Sequence, residues 1–333
     1  MATIGNTYVD LIDLYKSQNP DGSIATVIEM LTEMNPILDD AIAVECNMGT
    51  THVHTVRTGL PDVTWGKLYQ GIPQGKGTKA QVTDTTGFVE GLSSVDQRLL
   101  KLAADKAGAL RLSEAQAYLE AMSIEAATRL FYANSASDPE QFMGLAPRFN
   151  SKSAANGGQI IDAGGTGSDN TSIWFVTWGD NQTHLLYPKG TQAGVQREDK
   201  GPQRVTDSNG NAYYVEEEMF SWHLGLAVKD WRYVARVANI DVSDAQAGSV
   251  KLYNFLRQAY YKLHNRRVAG GKLAIYMNRD MLEILDALAY NAGAADNFVR
   301  LKPMEIEGKE VLTYRGIPIR ETDALINTEA RVL

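Results

Sequence analysis

Cysteine is almost absent. Cys46 is the one thiol in 333 residues, so no internal disulfide can staple the chain. No window approaches the ~18 uninterrupted apolar residues of a membrane span, so no membrane partner is expected. The first residues, MATIGNTYVDLIDLYKSQNPDGS, lack both a basic n-region and a long apolar h-region, and no signal peptide is read there. A reducing cytoplasm is therefore the expected site of synthesis, and the sequons at Asn170 and Asn181 carry no glycan on that reading. An excess of positive charge is also missing. The net charge of −8 and a pI near 5.2 argue against a dedicated DNA-binding domain.

What is present has ordinary globular composition, 44% apolar and 22% charged. That excludes a disordered or collagen-like chain. The length is generous for one domain and comfortable for two. Charge is uneven. Residues 1–49 carry eight acids and one base, whereas residues 248–333 carry ten acids and thirteen bases. Solvated surface charge is the plain explanation; the sharper one is an acidic arm that pairs with a basic surface on a neighbouring copy.

Short amphipathic helices are predicted over 9–16 and from Ser23 to Met34, separated by the turn Asn19-Pro20-Asp21-Gly22. They make a poor core by themselves. Residues 46–90 are rich in Gly, Thr and Gln, too polar for a buried sheet, and predict a long two-stranded excursion. An isolated hairpin is marginal in water, so a long one implies a lid, a binding loop or an intersubunit arm. Ser94 with Gln97, and Ser113 with Gln116, read as capping boxes that open two helices. The second helix, over 113–133, has an apolar stripe of Leu119, Met122, Ala126 and Leu130. Residues 171–241 read as a sheet holding Trp174, Trp178, Trp222 and Trp231. From 249 onward helix and strand alternate, with Leu252, Leu256 and Leu263 at helical spacing, then the strands KLAIYM, EVLTY and GIPIR. This last part is expected to be a self-contained unit that does not return to the preceding sheet.

No constellation reads as an active site, and no catalytic, cofactor or metal residue is expected. Gly71 to Thr78 glances toward a phosphate loop, but Ser or Thr does not follow Lys76 and the glycine spacing fails. His52 and His54 fall on one side of a strand, half of a metal site at most, and are read as exposed strand histidines. Cys46 has no basic neighbour in sequence. Glu216-Glu217-Glu218 reads as a solvated turn or interface charge. Lys262, His264, Arg266 and Arg267 read as favourable charge at a helix end.

The order of these parts resembles the major capsid proteins of tailed bacteriophages over nearly the whole chain. The residues carrying the resemblance are Thr58-Gly59-Leu60-Pro61 with Trp65, Leu130-Phe131-Tyr132-Ala133, Phe142 to Arg148, Leu186 to Gly190, Gly225 to Tyr233, Tyr276 to Arg279, and Gly316 to Arg320. None is specific alone; their order over 333 residues is much more so. The resemblance implies an α+β capsid fold. It has an N-terminal arm (1–45), an extended intersubunit hairpin loop (46–90), a peripheral domain (91–248) with a spine helix over 113–133 and the main sheet, and an α/β axial domain (249–333). In the commoner order of this fold the axial unit precedes the main peripheral strands. Here the run 171–241 comes first, so either the order is permuted with the axial domain last or those strands are assigned differently.

The implied function is a structural coat subunit of an icosahedral head that encloses double-stranded DNA. It assembles in the host cytoplasm as hexameric and pentameric capsomers. Portal, scaffolding and cement or decoration proteins are the implied partners, with non-specific contact to packaged DNA and no cofactor. The expected intersubunit loop residues are Arg57, Trp65, Lys67, Tyr69, Lys76 and Lys79. The expected arm contacts are Asp10, Asp13, Asp21, Glu29, Glu33, Asp39 and Asp40. Two alternatives are a shell protein of an encapsulin-like cellular compartment and a cytosolic enzyme that binds a small ligand through 249–330.

Overall fold

The computed structural model describes residues 35–103, 106–207, 209–266, 269–291, 301–306 and 309–333. The helices expected before residue 35 lie outside these. The first half contains α1 (Ile37–Asp40), β1 (Ala43–Glu45), β2 (Thr51–Gly59), β3 (Thr78–Asp96), α2 (Gln97–Ala103), α3 (Ala107–Tyr132), α4 (Leu145–Arg148) and β4 (Ile160–Asp162). Next come β5 (Asn170–Trp178), β6 (Thr183–Tyr187), β7 (Val195–Thr206), β8 (Ala212–Val228), β9 (Val234–Asp241), α5 (Val242–Gln246) and α6 (Leu252–Lys262). The chain ends with β10 (Lys272–Met277), α7 (Arg279–Asn291), β11 (Lys302–Ile306), β12 (Lys309–Tyr314) and β13 (Ile317–Glu321).

Two compact units emerge. The described part of one comprises 88–127 and 192–223; the other comprises 34–87, 128–191 and 224–333. In the smaller unit, β7 and β8 form a long antiparallel ribbon from Val195↔Trp222 to Thr206↔Ala212, with a register shift between Asp199 and Gly201. Ala115 and Met122 of α3 pack on Phe220, and Tyr118 stacks on the same ring at 5.6 Å. The exposed residues of β7 are polar apart from Pro202, which is why its sequence carries no strand signal. Glu218 corrects the reading of a solvated acidic turn: it is buried and ion-paired with Arg111 and Arg197.

Both expected capping boxes are also corrected. Ser94 lies within β3, and α2 is opened by Asp96, whose carboxylate accepts the Arg98 N–H at 2.8 Å. Ser113 lies inside α3, which begins at Ala107. The helix is 26 residues long, about 39 Å at 1.5 Å per residue. Leu119 faces outward and Ala115 takes its place in the buried stripe.

The larger unit is built around β5 and β9, whose residues are buried on both faces, as strands covered on two sides must be. Strand β5 lies between antiparallel β9 and antiparallel β10, and β10 in turn pairs in parallel with β13. The period-two alternation of β5 divides its side chains. Ile173 and Phe175 face a core completed by Leu252, Leu256 and Ala259 of α6 and by Met281 and Leu285 of α7. Trp174 meets Phe131 and Phe149 instead, at centroid distances of 6.2 and 5.9 Å.

This pairing overturns the expectation that residues 249–333 fold without returning to the preceding sheet. β10 and β13 extend the sheet that holds 170–178 and 234–241, so a boundary at 248 would cut through one core. Chain order groups neighbouring elements, whereas strand pairing is decided by which fully apolar edges can be buried together.

Gly144 shows how tightly the larger unit is packed. A Cβ placed there would lie 2.8 to 3.0 Å from the backbone atoms Arg129 O, Ala133 N and Phe131 O. Backbone cannot swing aside, so Gly144→Ala is expected to cost about 1–3 kcal/mol. Chemical denaturation should register this as a lower midpoint, and an unchanged midpoint would mean that the turn after α3 yields more easily than its contacts imply.

Candidate intersubunit surface

Strands β2 and β3 pair antiparallel from Thr51↔Thr85 out to Gly59↔Thr78. Thr and Val recur in β2, giving an extended, β-branched ribbon. Between the strands, residues 60–77 contain neither helix nor strand. The Gly71–Thr78 segment thus has no following helix and cannot form a phosphate cradle.

The root of this hairpin is fixed within its own unit. Asn47 bridges the turn, donating through Nδ2 to Val53 O at 2.6 Å and accepting the Val53 N–H at 2.8 Å. Thr86 N–H donates to Thr50 O at 3.0 Å. Deeper, the Arg148 guanidinium donates to Asp84 Oδ1 at 2.8 Å and to Leu226 O at 3.0 Å, tying β3 to β8. Gly225 admits the hairpin closely: a Cβ there would meet Thr85 O at 2.8 Å.

The tip has the opposite character. Trp65 is 95% exposed and Leu68 91%, with Leu60, Val63, Tyr69 and Ile72 comparably bare. Single exposed apolar residues need no explanation, but six of them within residues 60–72 are an unusual density for a polar loop. Arg57, Lys67, Lys76 and Lys79 are exposed around it. All six residues singled out from the sequence therefore lie on this hairpin. Leu60, Val63, Leu68 and Ile72 were missed, although their spacing along a polar loop was the available signal.

The arm residues are placed differently. Asp10, Asp13, Asp21, Glu29 and Glu33 lie outside the described residues, and Asp39 is exposed. Asp40 is not available to a neighbour. Its carboxylate accepts from Arg320 at 2.8 and 3.0 Å and from the Tyr276 hydroxyl at 2.8 Å, which in turn accepts from Trp178 Nε1. Positions 280 apart cannot be paired by reading the sequence.

The groups weighed for chemistry do not converge on a catalytic centre. Among the described residues, no group of three or more His, Cys, Asp or Glu side chains is arranged to hold a metal ion. Burial pushes the Cys46 thiol up to about 11, with Glu45 and Asp84 adding to the effect, so it stays protonated and unreactive. Arg266 stacks over Tyr260 and Tyr261 at 5.1 and 4.9 Å. His52 and His54 are not the exposed pair expected: His52 and His184 are buried, and their rings lie 5.6 Å apart. No helix among the described residues is long and apolar enough to cross a membrane.

A family model described as Major capsid protein GP7 matches residues 19–333. The chain is similar to a subunit in the structure of bacteriophage Epsilon15, with 35% identity, a TM-score of 0.77, and coverage of 100% of this chain and 99% of that one. More distant likenesses include the capsid of an empty GTA particle, 12% identical with a TM-score of 0.42 over 65% of this chain and 93% of that one. Another is an encapsulin from Synechococcus elongatus PCC 7942, 11% identical with a TM-score of 0.43 over 70% and 96%. No curated protein matches.

Proposed function

The chain belongs to the GP7 family of major capsid proteins, and on that premise we propose that the β2–β3 hairpin is the element that clamps each subunit to its neighbours. The chain is a structural shell protein with the tailed-phage capsid fold. The observation that carries the proposal is the bare apolar tip around Trp65 on a root anchored by the Asp84–Arg148 pair. Ordering an 18-residue tip without contacts is costly in conformational entropy. Burying that tip against a second copy offsets the cost. Repeated over a closed shell, the contact makes stability depend on subunit concentration.

The further parts of the reading follow from the shell role. The subunits form hexameric and pentameric capsomers of a phage head in the virion, assembled in the host cytoplasm. The head encloses double-stranded DNA touched through non-specific contacts and engages portal and scaffolding proteins. The acidic segment before residue 35 adds a salt-sensitive contact between copies.

Electron microscopy of the purified full-length protein under assembly conditions should show large closed particles. Limited trypsin digestion should cut at Lys76 or Lys79 in free subunits and be suppressed in particles. Only monomers or dimers, or equal cutting in both states, would overturn the reading. Particles filled with protein cargo rather than nucleic acid would favour a cellular compartment.

A further inference from the structure

Three imidazoles meet where the hairpin root lies against the sheet of the larger unit. His52 and His54 come from β2 and His184 from β6. The His52 ring is 5.6 Å from His184 and 6.3 Å from His54. His184 is fully buried, and His52 is 7% exposed. Neither ring nitrogen of His54 has a hydrogen-bond partner, nor does Nδ1 of His52, and His184 meets none beyond a backbone contact at Gly179 too poorly formed to satisfy it. His54 Nδ1 lies 3.7 Å from Asp84 Oδ2, beyond hydrogen-bond reach. Buried polar groups are normally satisfied, so three under-satisfied histidines at one junction need a reason.

The surrounding charges oppose one another, and burial tips the balance toward neutral rings. From β3, Asp84 favours protonation of His52 and His54, although its Oδ1 is engaged by Arg148 of α4. Lys229, following β8, opposes a positive charge on all three rings, and Arg148 adds to this at His54. The Gly179 backbone and, more weakly, Asp180, both in the turn before β6, act the other way on His184. Cys46, beside Leu186 and Ala227, is protonated and adds no charge, while the Glu45 carboxylate is turned to the Gly190 N–H at 2.8 Å. Two cations and two carboxylates thus act on three rings, and burial decides for the neutral form.

We propose that the His52–His54–His184 cluster is an acid-sensitive hinge: protonation releases the root of the β2–β3 hairpin from β6. In neutral form the rings pack as apolar plates and hold the hairpin down. A protonated ring must be hydrated, and here water reaches it only if β2 lifts away. Burial lowers the proton affinity of all three rings, that of His184 to about 4. The folded state therefore lags the open state in taking up protons. The closed junction keeps its full stability above about pH 6.5 and loses it progressively as pH falls toward 4. The consequence for assembly rests on the clamp reading; the hinge itself does not.

The test is hydrogen–deuterium exchange of the full-length protein, followed by mass spectrometry of peptides covering residues 46–59 and 78–87. It is run between pH 7.5 and 4.5 and corrected for intrinsic exchange. For a group with a folded pKa near 4 and an open-state value near 6.5, opening should rise about 20-fold between neutral pH and pH 5. In the double variant His52→Gln, His184→Gln most of that rise should be lost, since glutamine does not titrate and only His54 remains. Lys229→Met, which leaves the rings in place, should shrink the rise, because removing the opposing charge lifts the folded-state proton affinity toward that of the open state. It decides the matter if the double variant fails to fold. An unchanged pH profile in either folded variant, or no loosening in the unaltered protein, overturns the hinge. Microscopy of the same samples reports separately on whether particles form, so failure of the clamp reading would be seen independently.

Discussion

Trp65→Ser is expected to leave the free subunit's stability unchanged and to cripple its assembly. The indole makes no demand on its own chain, being 95% exposed, and surface substitutions of this kind usually fall within about ±0.5 kcal/mol. In a shell the same ring would be buried against a neighbour, where a large apolar side chain contributes about 1.5–3 kcal/mol. At 1.4 kcal/mol per decade, the concentration needed for assembly should rise roughly 10- to 100-fold from this one change. Light scattering across a subunit dilution series measures that threshold, and denaturation of the unassembled subunit supplies the control. A variant that assembles at the unaltered threshold would show that the tip is not a contact. A variant that loses subunit stability by as much as it loses assembly would show that the effect lies within the fold.

The second large effect belongs to the buried pair Arg236–Glu329. Both side chains are 4% exposed, and their atoms approach to 2.8 Å. Arg236 also donates to Ser172 Oγ at 3.0 Å and to Phe149 O at 2.8 Å, and it lies 4.9 Å over the Trp174 ring. Glu329 further accepts from the Tyr132 and Ser172 hydroxyls. The phenol is held protonated by burial and by the adjacent carboxylate. Around this knot the end of the chain is pinned: Glu329 N–H donates to Asn170 O at 2.9 Å, and Asn239 exchanges two hydrogen bonds with the Val332 backbone at 2.8 and 2.9 Å.

Arg236→Met leaves a buried carboxylate with no cation and is expected to destabilise the subunit by about 3–5 kcal/mol. Adding Glu329→Leu should recover most of that loss, because an apolar pair of similar volume avoids the desolvation cost of two ions. Chemical denaturation of the single and double variants forms the required cycle. A loss below about 1 kcal/mol in the single variant, the level of an exposed pair, would remove the knot from the account of what holds the chain end.

Much of this protein could be read along its chain. Where a signal is local, sequence suffices. The apolar strands SIWFVTW and KLAIYM, the uninterrupted helix ending at Tyr132 and the polar hairpin with Trp65 at its tip all have their character set by residues within about twenty positions. The order of those parts identified the capsid-type arrangement. Tertiary structure alone decided what met across long separations. The chain order suggested a closed unit after residue 248, but Ala274 and Ile275 pair with Val176 and Phe175 about a hundred positions earlier. Asp40 looked like a free arm charge until Arg320 met it. Glu218 looked solvated until Arg111 and Arg197 enclosed it, and His52 looked exposed until His184 came against it. The reason is common to all four. Whether a polar side chain is solvated or buried depends on surfaces contributed by distant segments, and strand partners are chosen by burial of whole apolar edges rather than by proximity along the chain.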